Sequence, residues 1–166
     1  TLLDPETEQQ LKILSQKLFE EREKRIRPGL DSKVLTDWNG LMITTMAKAG
    51  QYFSEISWVE DAENAFSAIT THSMTEDARL YHSYRLGMAK HSGILDDYVN
   101  MSRAALTLFE VTGKNFYLLR AQEWVAHLNT HFWDENGGYF YTADDAEALI
   151  VRSKNAADNA VPSGNG

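Results

Sequence analysis

The chain has 166 residues, 43% of them apolar and 24% charged, ordinary proportions for one globular domain with a real core. A formal charge of −8 argues against a nucleic-acid binder, since phosphate contacts require clustered Lys and Arg. The one basic cluster, Arg22, Lys24, Arg25 and Arg27, is interleaved with Glu20, Glu21 and Glu23, the pattern of a solvated helix face. There is no cysteine, hence no disulfide framework, thiolate metal site or cysteine nucleophile. No apolar run reaches the ~18 residues of a membrane span. These features favour a cytoplasmic setting without nucleic acid or membrane as partner.

Apolar spacing predicts five helices. Residues 5–26 carry Leu11, Leu14, Leu18 and Phe19 on one stripe, an amphipathic surface helix closed by Pro28-Gly29. Residues 37–53 are apolar almost all round (Leu41, Met42, Ile43, Met46, Ala47), so that helix is expected to be buried on most sides. Residues 57–74 are again amphipathic, through Trp58, Val59, Ala62, Phe66 and Ile69. The alternating stretch Leu80–Gly87 reads as a β-hairpin or extended loop. A second mostly apolar helix spans 96–112, closed by Gly113, and a further amphipathic one spans 114–132. Gly137–Tyr141 and Leu149–Val151 then read as a second hairpin.

The order repeats: buried helix, amphipathic helix, hairpin, and the same again, with Gly50 and Gly113 read as helix-ending glycines. Such a repeat indicates stacked helical hairpins, each burying what its neighbour exposes. The expected fold class is all-α, part of an α/α toroid with an inner and an outer ring of helices and short β-hairpins between units. Two and a half units cannot close a ring. An apolar flank should therefore be left for the remainder of the toroid or a second copy to cover. The chain opens at Thr1 without an initiator Met and stops at Gly166 in a turn-rich segment, and the expectation is a piece of a larger protein.

The residues that carry chemistry sit at helix starts. Thr36-Asp37-Trp38-Asn39-Gly40 opens one apolar helix and Asp96-Asp97-Tyr98 opens the other. Asp96 and Asp97 have two readings: N-terminal capping, worth roughly 0.5–2 kcal/mol, or one capping while the other faces a cavity as acid, base or hydroxyl acceptor. Glycosidic chemistry needs two carboxyls, so Asp97, Asp96 and Asp37 are the catalytic candidates. Trp38, Asn39 and Tyr98 are either packing groups or the flat rings and amide that pyranose recognition uses.

Arg152, Lys154 and Asp158 alternate as in a strand leading into a loop, and Asn165 follows in a turn. They form either a surface ion-pair ladder or a binding set for a substrate carboxylate or phosphate. His127 and His131 have ligand spacing, but Leu128 stands where the H-E-x-x-H motif needs Glu. No metal site and no cofactor is expected. His82 and His91 lie at the first expected hairpin, over the supposed cavity.

Arg27-Pro28-Gly29-Leu30-Asp31-Ser32-Lys33-Val34-Leu35-Thr36-Asp37-Trp38-Asn39-Gly40-Leu41-Met42 resembles a segment of the thioredoxin-domain proteins related to spermatogenesis-associated protein 20. Gly93–Tyr98, Phe132-Trp133-Asp134 with Gly137–Phe140, and Arg152, Lys154, Asp158 with Pro162–Asn165 follow in the order of that family's later motifs. Ser32, Asp37, Val99 and Gly166 depart from its usual residues. The resemblance implies a thioredoxin-like domain, N-terminal and outside this chain, followed by an (α/α)6 toroid similar to N-acylglucosamine 2-epimerases and six-hairpin glycosidases. This chain would be a single partial domain, the middle of that toroid.

Two functions compete at this point. One is a carbohydrate-active or sugar-binding toroid, epimerase- or hydrolase-like, with a small sugar as ligand and no activity as an isolated piece. The other is a non-catalytic scaffold that accompanies a thioredoxin-like domain and binds a protein. Fold alone does not choose between them.

Overall fold

The computed structural model describes residues 4–158 and 160–166. Contacts divide the chain into two units, Thr1–Ser32 and Lys33–Gly166.

The first unit holds helix α1, Pro5–Glu23. Asp4 caps it by accepting the Thr7 backbone N–H at 3.0 Å and the Thr7 hydroxyl at 2.7 Å, and Pro5 takes the first helical position, where no N–H is needed. The expected apolar stripe is present but the helix carries no buried residue, and Leu18 is 73% exposed.

The second unit contains four helices, α2 (Thr36–Phe53), α3 (Ile56–His72), α4 (Leu95–Thr112) and α5 (Asn115–His131), and three short strands, β1 (Val34–Leu35), β2 (Tyr81–Arg85) and β3 (Met88–Ser92). α2 packs on α3 and on α4, and α4 packs on α5. The two apolar helices form one layer: α4 buries Leu95, Tyr98, Met101, Ala104, Ala105 and Leu108 among others, whereas α5 buries only Tyr117, Ala121, Trp124 and Leu128. α4 is buried as its apolar pattern predicts, whereas α2, expected to be buried on most sides, leaves Trp38, Met42, Tyr52 and Phe53 exposed. Phe66 of α3 meets Tyr117 and Trp124 of α5 at ring-centroid distances of 5.1 and 5.8 Å. The Trp124 indole N–H donates to the Ala78 carbonyl at 3.0 Å.

Two glycines set the helix spacing. A Cβ on Gly40 would stand 2.7 Å from the Asn100 carbonyl carbon, so α2 and α4 approach at a point only hydrogen can occupy. A Cβ on Gly50 would meet Val59 at 2.7 Å. Gly50 therefore does not end α2 as the sequence reading had it. The helix runs on to Phe53, and Ser54 takes the left-handed cap conformation, while Gly50 lets α3 fold back closely. Gly113 does end α4, at φ 70.

β1, β2 and β3 form an antiparallel sheet in that order, with Leu35 opposite Ser83 and Ser83 opposite Lys90. Leu86 and Gly87 both have positive φ, as a two-residue turn between twisted strands requires. The second expected hairpin is absent among the described residues: after α5 there is only an isolated bridge, Trp133 to Tyr139. The apolar run Leu149–Val151 is exposed and finds no partner strand. None of the described helices is long and apolar enough to cross a membrane.

Candidate functional site

The first turns of α2 and α4 lie side by side. Both helices begin without a capping side chain, at Leu35 and Ile94, so their orphan N–H groups need acceptors. Asp97 supplies them for both. One oxygen accepts the Ile94 backbone N–H at 2.8 Å, the N-cap of its own helix, and the other accepts the Asp37 backbone N–H at 2.9 Å. Asp97 is 0% exposed.

The Nδ1 of His82, on β2, lies 3.1 and 3.0 Å from the two Asp97 oxygens. The His82 ring remains 28% exposed. The Asp97 bond holds His82 above the usual imidazole range, against burial, with Asp37 and Asp96 adding to the rise. Burial pushes Asp97 upward while His82 and the Ile94 N–H pull it down. The groups that hydrogen-bond to Asp97 are N–H donors, which favour its carboxylate form against the burial that raises its pKa.

Asp37 is buried and accepts the Trp38 backbone N–H at 2.7 Å. Asp96 is half-buried and accepts the Gly164 backbone N–H at 2.8 Å, tying the C-terminal segment to α4. Burial and the nearby Asp37 raise its pKa. Asp96 lines a cavity of about 350 Å³ with Tyr141, Ser153 and Ser163. Burial raises the Tyr141 phenol, and Asp96, Asp97 and Asp37 raise it further, so these groups share one electrostatic environment.

Trp38 stands at the same end of α2, 59% exposed. Asn39 donates to the Leu35 carbonyl at 2.8 Å, back into its own helix start. The Tyr98 hydroxyl accepts the Leu80 N–H at 3.0 Å and its ring is buried. The strand-like alternation expected for Arg152, Lys154 and Asp158 is not formed; they lie in coil. Arg152 donates to the Thr142 and His131 carbonyls and stacks 4.3 Å over Phe140. Lys154 pairs with Asp134 at 2.5 Å. Asp158 accepts the Ser163 N–H at 2.8 Å. Asn165 accepts the Tyr139 N–H at 2.7 Å and donates to its carbonyl at 2.9 Å.

The structure thus gathers Asp37, Asp96, Asp97 and Trp38 at one end, and binds Arg152, Lys154, Asp158 and Asn165 into the C-terminal coil. His82, expected over the supposed cavity without a stated role, joins the acids, and so does Tyr141, which had no expected place there. The signal for His82 was its position in an alternating run; for Tyr141 there was none.

Asp37, His82 and Asp97 place donor atoms within 4.8 Å of one another, as do His131, Asp144 and Asp145. Asp97 is already filled by N–H donors, and Asp145 is held by both guanidinium nitrogens of Arg79. Neither triad is read as a metal centre. A larger groove of about 880 Å³ runs along α2 and α4 past Leu41, Lys48, Tyr52 and Arg103, away from the acids.

No family model matches the chain. Human spermatogenesis-associated protein 20 is 33% identical, over 90% of this chain and 20% of its own length. An uncharacterised protein of Caenorhabditis elegans is 32% identical, over 87% of this chain and 21% of its own. Spermatogenesis-associated protein 20 is a homologue of this chain. The chain spans about a fifth of the length of these curated relatives.

Among solved structures, cellobiose 2-epimerase of Spirochaeta thermophila superposes with a TM-score of 0.62 at 17% identity, over 69% of this chain and 30% of that one. A GH76 α-mannanase of Bacteroides thetaiotaomicron gives 0.62 at 14%, over 70% and 34%. The fold is that of part of an α/α toroid, with α2 and α4 side by side and α3 and α5 packed against them.

Proposed function

We propose that the joined first turns of α2 and α4 are the floor of a sugar-binding pocket in a carbohydrate-active toroid, epimerase- or hydrolase-like. The observation that carries this reading is the meeting of Asp37, Asp96, Asp97 and His82 at one helix end beside the exposed ring of Trp38. Carboxyls of differing burial beside an imidazole are the groups that acid–base chemistry on a sugar uses. An open aromatic ring offers a stacking face. The similar solved structures include a cellobiose 2-epimerase and an α-mannanase, which supports the ligand class by analogy of fold only.

In the whole protein, this chain is the middle of the toroid and follows a thioredoxin-like domain, in a cytoplasmic setting consistent with the lack of cysteine. The remainder of the toroid covers the exposed Met42, Tyr52 and Phe53 of α2. The test is a thermal-shift screen of the full-length protein against mono- and disaccharides, since a ligand of the folded state raises the melting temperature. A rise that Trp38→Ala abolishes is the expected result; silence across the panel defeats the reading. The scaffold alternative draws on one observation: Arg152, Lys154, Asp158 and Asn165 are all engaged in holding the C-terminal coil.

A further inference from the structure

We infer that His82 is the ligand-facing group of this pocket, oriented by the buried Asp97, and that the ligand it meets is an uncharged sugar. This rests on the sugar reading above and narrows it.

Every His82 hydrogen bond among the described residues runs through Nδ1 to Asp97, so Nε2 belongs to the exposed part of the ring. Asp97 cannot serve a ligand itself, because it is enclosed and already accepts the Asp37 and Ile94 N–H groups. It is a positioning residue: it fixes the ring's orientation and keeps the proton on Nδ1. The Asp97 bond also favours the doubly protonated ring, in which Nε2 carries a donor N–H.

The charges that surround this donor decide the ligand. Asp37 comes from α2, and Asp96 and Asp97 from α4; all three act on His82, which faces them from β2. Three acidic side chains surround one imidazole, so the pocket wall is acidic. Of the basic candidates, Arg152 is turned to the Thr142 and His131 carbonyls and Lys154 to Asp134. A phosphate or uronate would face these acidic groups, with Arg152 and Lys154 engaged elsewhere. A neutral hydroxylated ring would hydrogen-bond to Nε2 of His82 and donate to Asp96 or Asp37.

The test compares matched probes on the full-length protein by calorimetry: glucose, mannose and cellobiose against glucose 6-phosphate and glucuronate. His82→Asn and Asp97→Asn accompany the wild type. The expected result is binding of a neutral sugar, at least tenfold weaker binding of its anionic counterpart, and at least tenfold loss in His82→Asn. In that variant the amide still donates to Asp97 but nothing replaces Nε2. NMR titration of the 166-residue chain should find His82 above the ordinary histidine range, with Asp97→Asn bringing it down. Should Asp97→Asn fail to fold, His82→Asn alone carries the binding test. Equal or tighter binding of the anionic sugar, undiminished binding by His82→Asn, or an ordinary His82 titration would overturn the inference and leave the sugar pocket standing. No binding by any probe removes both.

Discussion

The backbone N–H of Asp37 donates to the Asp97 carboxylate across the gap between α2 and α4, at 2.9 Å. A single side chain thereby supplies an N-terminal acceptor to each of two helices whose joined residues are 60 apart in sequence. Asp97→Ala would leave the Asp37 and Ile94 N–H groups and the His82 ring without their acceptor. The loss of a buried paired charge of this kind costs about 3–5 kcal/mol, and Asp97→Asn, which keeps one acceptor oxygen, should cost less. Urea denaturation of the two variants checks the order. Equal stability of Asp97→Ala and wild type would show that the link between the helices is idle.

Gly40→Ala should destabilise the chain although alanine is the better helix former. Helix propensity favours Ala by about 1 kcal/mol. The new methyl would lie 2.7 Å from the Asn100 backbone, and overpacking of this kind costs about 1–3 kcal/mol. A lower melting temperature is the expected outcome. A higher one would mean that α4 moves aside freely.

His127 should make stability fall in mild acid. Burial, with Arg79 and His131 nearby, lowers its pKa to about 4, and its Nε2 is buried without a partner among the described residues. The ring tilts against Tyr98 at 4.8 Å and meets the edge of Phe132. A depressed pKa means the unfolded chain binds the proton first. The contribution is therefore present above about pH 6.5 and lost as pH falls toward 4. With part of the ring in solvent it is on the order of 1–2 kcal/mol. His82, whose pKa is raised, has the opposite sign: its contribution is present in acid and lost as pH rises through that raised value. Urea midpoints at pH 7 and pH 5, for wild type and His127→Phe, separate the two. The variant should lose most of the drop.

The helices were legible because their signals are local. Apolar period, the Gly113 stop and the acids at the helix starts place α2, α4 and α5 to within a residue or two of where they lie. What escaped was decided across space. Gly50 looked like a terminator because it follows an apolar run, but its meaning comes from Val59 on the next helix. β1 is two residues long, too short to show a period, and exists because β2 offers it an edge. Leu149–Val151 had the composition of a strand and no partner to make it one. Asp96 and Asp97 were recognisable both as a helix start and as site candidates. Nothing local said which of them would be enclosed, or that His82 would claim the enclosed one.

Because that enclosed carboxylate belongs to helix packing and to the imidazole alike, the orientation of His82 is inherited from the fold. Trp38 is exposed and carries no such double duty, whereas Asp96 ties the C-terminal segment to α4. Changes at Asp97 alter architecture and the proton affinity of His82 together, so the two cannot be tuned apart at that position.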